Sequence, residues 1–434
     1  MKKVMAIGIT CFLIGLMGIQ TVIADEIPEV LWEKTFGTSD EEFCKFVQQT
    51  TDGGFILVGS TRTDFTDDYD IFLLKTDSNG NQEWFKIFGV DNEDEEGFCV
   101  RQTSDLGFII AGYSTNFEAD TAIWLIKTNS VGEEIWNKTH TYIDYSIIND
   151  TVYESEFNDQ KAYFIQHTTD DGFVIVGFTS SYYPLSNKPD VWLIKTDDDG
   201  DIEWSHTFGG NEIDYGRAVQ QTLDGGFIII GEKERNDDYD MFLIKVNAEG
   251  VEEWNNTYGG IKRDVGRSVQ QSLNGGYICA GTTASFGAGG ADAWMIYTDS
   301  QGNELWNHTF GGENPDGANA INQINNDEFV TVGTYESPET DEIDVWFFKT
   351  DSNGSIIFDE KMGGMRNDYG NSLVVIDDEE YIIAGTTESE QYGIEDIILI
   401  KIGPEISGNN TPGFELIFSI AAIAMILFWR RKKN

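Results

Sequence analysis

Four short apolar runs, separated by turn chemistry and repeated along most of the chain, set the pattern of hydrophobic and polar positions. The stretch from Ile202 to Asn247, IEWSHTFGGNEIDYGRAVQQTLDGGFIIIGEKERNDDYDMFLIKVN, holds one full set. EWSHTFGG is the first run and RAVQQT the second, FIIIGE the third and YDMFLIKV the fourth. Runs of about 4–8 residues rich in Val, Ile, Phe and Trp, bounded by Gly, Asn and Asp, read as strands. Asp224-Gly225-Gly226 supplies residues that tolerate positive φ, as a tight hairpin requires. The unit is therefore a four-stranded antiparallel meander.

The Trp that opens the unit recurs at Trp32, Trp84, Trp136, Trp204, Trp254 and Trp306, with Phe358 in the same place. Successive intervals are 50 or 52 residues except the 68 from Trp136 to Trp204. The valine-glutamine run recurs as FVQQT, CVRQT, AVQQT and SVQQS. The following turn and strand recur from DGGFILVG (52–59) to DEEYIIAG (378–385), and the last run from DIFLLKTD to DIILIKIG. A period near 50 residues with four strands is the size of a propeller blade. The chain opens with a lone Trp strand, LWEKTFG (31–37), and ends with three strands of a seventh unit (371–402). Pairing the two ends completes that unit. The expected fold is thus all-β: a seven-bladed β-propeller of four-stranded antiparallel blades over residues 25–402, closed by its N- and C-terminal strands. The 46 Gly, only 7 Pro and 13% aromatic content suit many tight turns and flat blade faces. Two connections per blade are short and uniform; the other two vary and share one face. The largest variation is an insertion at 140–162, and such loops on a rigid scaffold are where binding residues concentrate.

The termini carry a different pattern. Lys2 and Lys3, the apolar run Val4 to Gly18 and the small-residue site Val22-Ile23-Ala24 make residues 1–24 a secretory signal peptide. After a linker (403–413) comes an apolar segment, 414–429, and a basic tail, 430–434. Basic residues after an apolar run place that end in the cytoplasm, so the segment is expected to be a transmembrane helix with the propeller outside. Its uninterrupted stretch, Leu416 to Trp429, spans about 21 Å as helix, short of the ~30 Å hydrocarbon layer, and with Phe414 and snorkelling of Arg430 it is expected to span a thinned bilayer. The short linker then turns the uniform face toward the membrane and the insertion outward. Export removes Cys11 and leaves Cys44, Cys99 and Cys279, an odd count that excludes a fully paired framework within one chain. Cys99 aligns with Phe46 and Ala218, and Cys279 with Leu57, so both are expected in the core as small hydrophobes.

Charge changes the picture of partners. The chain carries −47, and without residues 1–24 and 414–434 it has 22 basic against 74 acidic residues, a net of −52. Nucleic acid and anionic headgroups are repelled by such a surface. Sequons at Asn137, Asn149, Asn255, Asn307, Asn353 and Asn409 are candidate glycosylation sites of an exported protein. Asp214, Asp264 and Asp368 recur between blades, and Asp70, Asp190, Asp240, Asp292, Asp344 and Asp396 recur just before the fourth run. Aspartates in such a register are expected to bond backbone N–H groups in turns. The alternative is a Ca²⁺ site, with Asp214, Asp264, Asp368, Asp240 and Asp292 as its candidate ligands, because hard cations need several carboxylates at one point. No other cofactor is implied. No HExxH, Gly-x-Ser-x-Gly or phosphate loop occurs, and no catalytic residue is assigned.

The WxxTFGG, DGGFIIVG and DxWLIKTD blocks over residues 31–402 resemble those of uncharacterised archaeal and bacterial envelope repeat proteins. At the level of fold they resemble quinoprotein, kelch and WD-type propellers. Thr411-Pro412-Gly413-Phe414 and the segment after it resemble the Pro-Gly-Phe sorting signals of archaeal surface proteins. That resemblance implies removal of the tail by an archaeosortase and attachment of a lipid. Together these observations point to a surface-anchored binding or adhesion module with a glycan or protein ligand on the variable face. The alternatives are an extracellular polysaccharide-active enzyme using carboxylates on that face, and a purely structural envelope subunit.

Overall fold

The computed structural model describes residues 28–404, apart from 39, 63–67, 91, 116–119, 143–144, 149–150, 155–157, 182–187, 237, 326–327, 378 and 389–394. The signal segment, the linker beyond Pro404, the apolar segment, the basic tail, Asn149 and Asn409 lie outside the described residues. Residues Glu29–Gly403 form one unit and the terminal remainder another. No helix among the described residues is long and apolar enough to cross a membrane.

The repeated four-run pattern folds into seven four-stranded antiparallel sheets, each one blade of a β-propeller. The inner strands are Glu42–Gln49 in blade 1, Glu95–Gln102 in blade 2, Asn158–His167 in blade 3 and Asp214–Gln221 in blade 4. Those of blades 5, 6 and 7 are Asp264–Gln271, Asp316–Gln323 and Asp368–Val375. Blade 7 takes its second and third strands, Tyr381–Glu388 and Glu395–Gly403, from the C-terminal side and its outer strand, Glu29–Phe36, from the N-terminal side. Glu29 pairs with Gly403 and Phe36 with Ile397, so the expected closure by the chain ends is present. The insertion carries secondary structure of its own, which its composition did not announce. A β-hairpin pairs Tyr145–Ile148 with Thr151–Glu154.

Second and third strands are apolar on both faces because each blade is sandwiched between two others. Ile228, Ile229 and Ile230 of blade 4 are all fully buried. Their side chains alternate between two cores: Ile228 and Ile230 meet Tyr277, Cys279 and Trp294 of blade 5, whereas Ile229 meets Val174 and Val176 of blade 3. The last such core joins blade 7 to blade 1, with Ile382, Ala384, Ile397 and Leu399 against Leu57, Phe72 and Leu74. Trp32 and Phe36 of the closing strand pack on that core.

Two repeated polar devices bind the uniform face. The Lys of the third strand, buried at its stem, reaches back to the Asp of the first hairpin turn. Lys75 Nζ lies 3.0 Å from Asp52, Lys127 2.7 Å from Asp105, Lys195 3.1 Å from Asp170 and Lys245 3.0 Å from Asp224. In blade 5 both partners change together. Asn274 stands at the turn and Tyr297 replaces the Lys, its hydroxyl 3.0 Å from Ser272 Oγ. The glutamine pair stitches blades to each other. Gln220 Oε1 accepts the N–H of Gln271 at 2.5 Å, and Gln271 Oε1 accepts the N–H of Leu223 at 2.8 Å. Gln166 with Gln221, and Gln270 with Gln323, repeat the exchange.

Removing the closing strand would leave the Glu395–Gly403 edge unpaired and the core between blades 7 and 1 uncovered. Deletion of Glu29–Gly37 is therefore expected to lower the melting temperature by roughly 10 °C or more, against a few degrees for deletion of residues 284–290. Differential scanning calorimetry on the two variants checks this; equal melting temperatures would contradict closure by the chain ends.

Candidate functional site: the bulged ring in the central channel

Every inner strand carries one β-bulge at the same place. The pairing skips Lys45 in blade 1, Phe98 in blade 2, Tyr163 in blade 3 and Arg217 in blade 4. It skips Arg267, Asn319 and Asn371 in blades 5, 6 and 7. A bulge leaves one residue outside the ladder and re-aims its side chain. Here all seven point into the central channel, a cavity of about 720 Å³ lined by the inner strands of all seven blades. The bulge is possible because the opposing second strand has Gly. A Cβ on Gly231 would lie 1.9 Å from Tyr215 O. The six equivalents, Gly59, Gly112, Gly177, Gly281, Gly333 and Gly385, would meet the facing carbonyl at 1.7–2.0 Å. This is the physical role of the Gly that ends each third apolar run.

Inner strands run from the variable face to the uniform hairpin turns, and the bulge comes early in each. The ring therefore lies toward the variable end. Its composition is uneven: cations and aromatics on blades 1 to 5, amides on blades 6 and 7. Phe98 meets Tyr163 edge-on at 5.1 Å between centroids, and Tyr163 in turn lies under the Arg217 guanidinium at 4.5 Å. The aromatic wall continues outward from Tyr163 through Phe178 to Tyr215, the latter pair 4.9 Å apart. One step deeper, the Arg101 guanidinium sits between Phe46 and Phe164, 4.5 and 4.9 Å from their centroids, and donates from Nε to Ile165 O. Burial raises the Tyr163 pKa against the opposing pull of Arg217, so the phenol stays protonated at neutral pH. Arg217 is paired with the fully buried Glu232, which also holds Arg263 at 2.8 Å. Arg267 is different. It lies exposed to the channel and makes no hydrogen bond or ion pair with the described residues. Enclosure by the surrounding protein, and then the like charge of Arg217, lower its pKa from the guanidinium range.

The recurrent aspartates lie elsewhere. Asp214, Asp264 and Asp368 are the first residues of inner strands, whereas Asp292 is the first and Asp240 the third residue of a third strand. The five candidates do not converge on one point. Instead one carboxylate of each kind closes on the Gly between two blades. A Cβ on Gly209 would lie 1.8 Å from Asp190 Oδ1 and 2.9 Å from Asp214 Oδ2. Asp240 with Asp264, Asp292 with Asp316 and Asp344 with Asp368 flank Gly259, Gly311 and Gly363 in the same way. Asp396 with Glu42 and Asp70 with Glu95 complete six junctions. These carboxylates accept backbone N–H bonds at the turns, as expected from their register: Gly260 to Asp264 at 2.8 Å, Gly312 to Asp316 at 2.7 Å and Gly364 to Asp368 at 2.9 Å. Asp292 accepts from Ala288 at 3.0 Å, and Asp240 lies 3.3 Å from Arg235. Among the described residues, no group of three or more His, Cys, Asp or Glu is placed to hold a metal ion. The seventh junction, between blades 2 and 3, is built differently, with the Thr121 hydroxyl donating to Asp159 at 2.5 Å. Thr121 and Gln160 replace the acids, and Gln160 grips both the N–H and the carbonyl of Tyr142.

Asn137, Asn255, Asn307 and Asn353 are all exposed, the first three on outer strands and the last in a uniform turn. Cys44, Cys99 and Cys279 are free and fully buried, which for Cys99 and Cys279 agrees with their core register. Burial pushes the Cys44 thiol up to about 12, against the opposing pull of the Phe46 carbonyl contact and Lys45.

No family model and no curated protein matches the chain. Solved structures do. The polysaccharide lyase Uly1 superposes with a TM-score of 0.52 at 9% identity, covering 87% of this chain and 100% of that one. A protein of unknown function from Dyadobacter fermentans gives 0.51 at 9% identity, covering 87% and 99%. The WD40 domain of Neurospora crassa Pan2 gives 0.51 at 8%, covering 87% and 95%. At such identities the likeness is one of fold, and these neighbours differ in what they do.

The paired carboxylates give stability a definite pH dependence. Burial, then Asp190, raises Asp214 to about 6 against the pull of Lys233; burial raises Glu95 to about 7, with Asp70 adding to it. A carboxyl whose folded pKa lies above its unfolded value of about 4 stabilises the fold when protonated. That contribution is complete below about pH 4 and is lost as pH rises toward 6–7. Asp52 and Asp105 act oppositely. Burial would raise them, but the Thr hydroxyl, the turn N–H and the Lys outweigh it and hold both at about 2. Their contribution is lost as pH falls from about 4 toward 2. The melting temperature is expected to peak near pH 4–5 and decline toward pH 8, and Asp214→Asn with Glu95→Gln should flatten that decline. A pH series of thermal melts checks this; a melting temperature rising monotonically to pH 8 would contradict it. A second prediction concerns the bulge: Gly231→Ala should cost about 1–3 kcal/mol by overpacking, read as a lower denaturant midpoint.

Proposed function

We propose that the protein is a ligand-binding module displayed at the cell surface, with the variable end of the central channel as its site and a glycan as its ligand. The observation that carries this reading is the bulged ring. In every inner strand the bulged residue is turned into the channel, and from blade 1 to blade 7 it changes from Lys to Phe, Tyr, Arg, Arg, Asn and Asn. A purely structural ring has no need of seven such side chains on one level. Aromatic faces beside amide and cationic donors suit a sugar, which offers both apolar C–H faces and hydroxyls. The cavity is of small-ligand size, and a few convergent polar groups in such a space fix orientation.

Export by residues 1–24, anchoring through 414–429, processing at the Pro-Gly-Phe signal and glycosylation at the six sequons belong to the same proposal and rest on sequence. The pairing of Glu29 with Gly403 supports the orientation, because both chain ends leave the propeller from the uniform face. Ca²⁺ held by the recurrent aspartates is not needed for this reading.

The reading as a polysaccharide-active enzyme has one observation in its favour, the Tyr163–Arg217 contact at the channel wall. Against it, Tyr163 is kept protonated and so is a poor base at neutral pH. Of the inner-strand carboxylates of the variable face, Asp264, Asp316 and Asp368 are buried and engaged with backbone, and Asp214 is buried with one oxygen 3.4 Å from Lys233. The test is a glycan array probed with the full chain in detergent, beside a turnover assay on every glycan bound. Saturable binding without product, weakened by Phe98→Ala, is the expected result. Product formation would favour the enzyme, and binding indifferent to Phe98→Ala would move the site off the channel.

A further inference from the structure

We infer that the channel selects a ligand bearing an anionic group, a carboxylate- or sulfate-substituted sugar, and that Arg267 is the residue that receives it. The inference rests on the channel being the binding site and adds the chemistry of what enters it. Two observations carry it. The first is segregation of charge. The chain has 75 acidic residues against 28 basic, yet the residues lining the channel include Lys45, Arg101, Arg217 and Arg267 and no Asp or Glu. In a protein this acidic, an acid-free cavity with four cations on its lining, two of them without an ion pair among the described residues, is set apart from the rest of the surface. Low-dielectric walls concentrate the field of those charges on an entering ligand.

The second observation is how those cations are used. Arg217 is neutralised by Glu232, Lys45 lies 3.9 Å from Glu96, and Arg101 is held between two Phe rings and bonded to Ile165 O. Each has a place in the fold. Arg267 has none: the bulge turns it into the channel, and no acceptor among the described residues meets it. A guanidinium in that situation keeps its fork of N–H donors free for a planar or tetrahedral anion. Its ring neighbours are Arg217 on one side and Asn319 on the other. Asn319 donates its own Nδ2 to Gly370 O at 2.8 Å, so it is held in place beside the anion position. The cavity size favours an oligosaccharide over a protein face.

The test is calorimetric titration of the full chain in detergent with three probes of equal length: a tetrasaccharide of uronic acid, a sulfated tetrasaccharide and a neutral one. Wild type, Arg267→Gln and Arg267→Lys are compared, with thermal melts to confirm folding. The expected result is that at least one charged probe binds about tenfold or more tightly than the neutral probe, and that R267Q removes that advantage, so that charged and neutral probes bind alike. R267K, which keeps charge but loses the fork, should recover only part of it. Affinity for the charged probe should also fall with added NaCl. If R267Q does not fold, R267K and the salt dependence decide the question in its place. A folded R267Q that binds charged probes like wild type overturns the inference, as does equal binding of charged and neutral probes. In either case sugar binding that Phe98→Ala weakens would leave the channel reading intact. If none of the three probes binds, the assignment of a glycan to the channel fails with it.

Discussion

Seven blades form a ring only if each buries both faces of its second and third strands against a neighbour, and that requirement governs the rest of the molecule. Fully apolar strands such as Phe227–Ile230 would be insoluble in a lone sheet. They are stable because Val174 and Val176 cover one face and Tyr277, Cys279 and Trp294 the other. The two blades at the seam meet the same requirement by borrowing a strand. Glu29–Phe36 pairs with Glu395–Gly403, and Trp32 lies against Phe55 of blade 1 with their centroids 6.4 Å apart. Sequence-distant termini are thereby tied into one core.

Once the cores fix the blades, repeated polar contacts fix their edges, and each repeat leaves fewer positions free. The third-strand Lys is committed to the hairpin Asp, the glutamines to the next blade, and the junction carboxylates to the glycine between blades. Where one member changes, its partner changes with it: Tyr297 with Asn274, and Thr121 with Gln160. The bulged position has no single partner repeated around the ring: Arg217 meets Glu232, Asn319 and Asn371 each donate to a carbonyl of the next blade, and Arg267 meets no acceptor among the described residues. Its composition therefore varies from blade to blade, and there the chain places Arg267, Tyr163 and Phe98.

Much of the fold was legible in the sequence. The spacing of Trp32, Trp84, Trp136, Trp204, Trp254 and Trp306 marks the blades, and the lone N-terminal strand marks the closure. The register of Cys99 and Cys279 places them in the core, and that of Asp264 and Asp368 places them at turn N–H groups. The site was not legible, because period-two reasoning takes a strand as a regular ladder and a bulge breaks that ladder by one residue. Its signal was present in the glycine ending each third run, from Gly59 to Gly385, which only close approach of the facing backbone explains. The insertion hairpin was missed for a related reason. Tyr145–Ile148 and Thr151–Glu154 are four residues each, too short to show a period.

In the function proposed above, the channel ring, and not the outer surface, is where this protein meets its ligand. A crystal structure of the protein soaked with acidic oligosaccharide tests it most directly. The account predicts sugar density inside the ring, an anionic group against the Arg267 guanidinium and a sugar face toward Phe98 or Tyr163. Ordered sugar found only on the outer strands or variable loops, with the channel holding solvent alone, would contradict it.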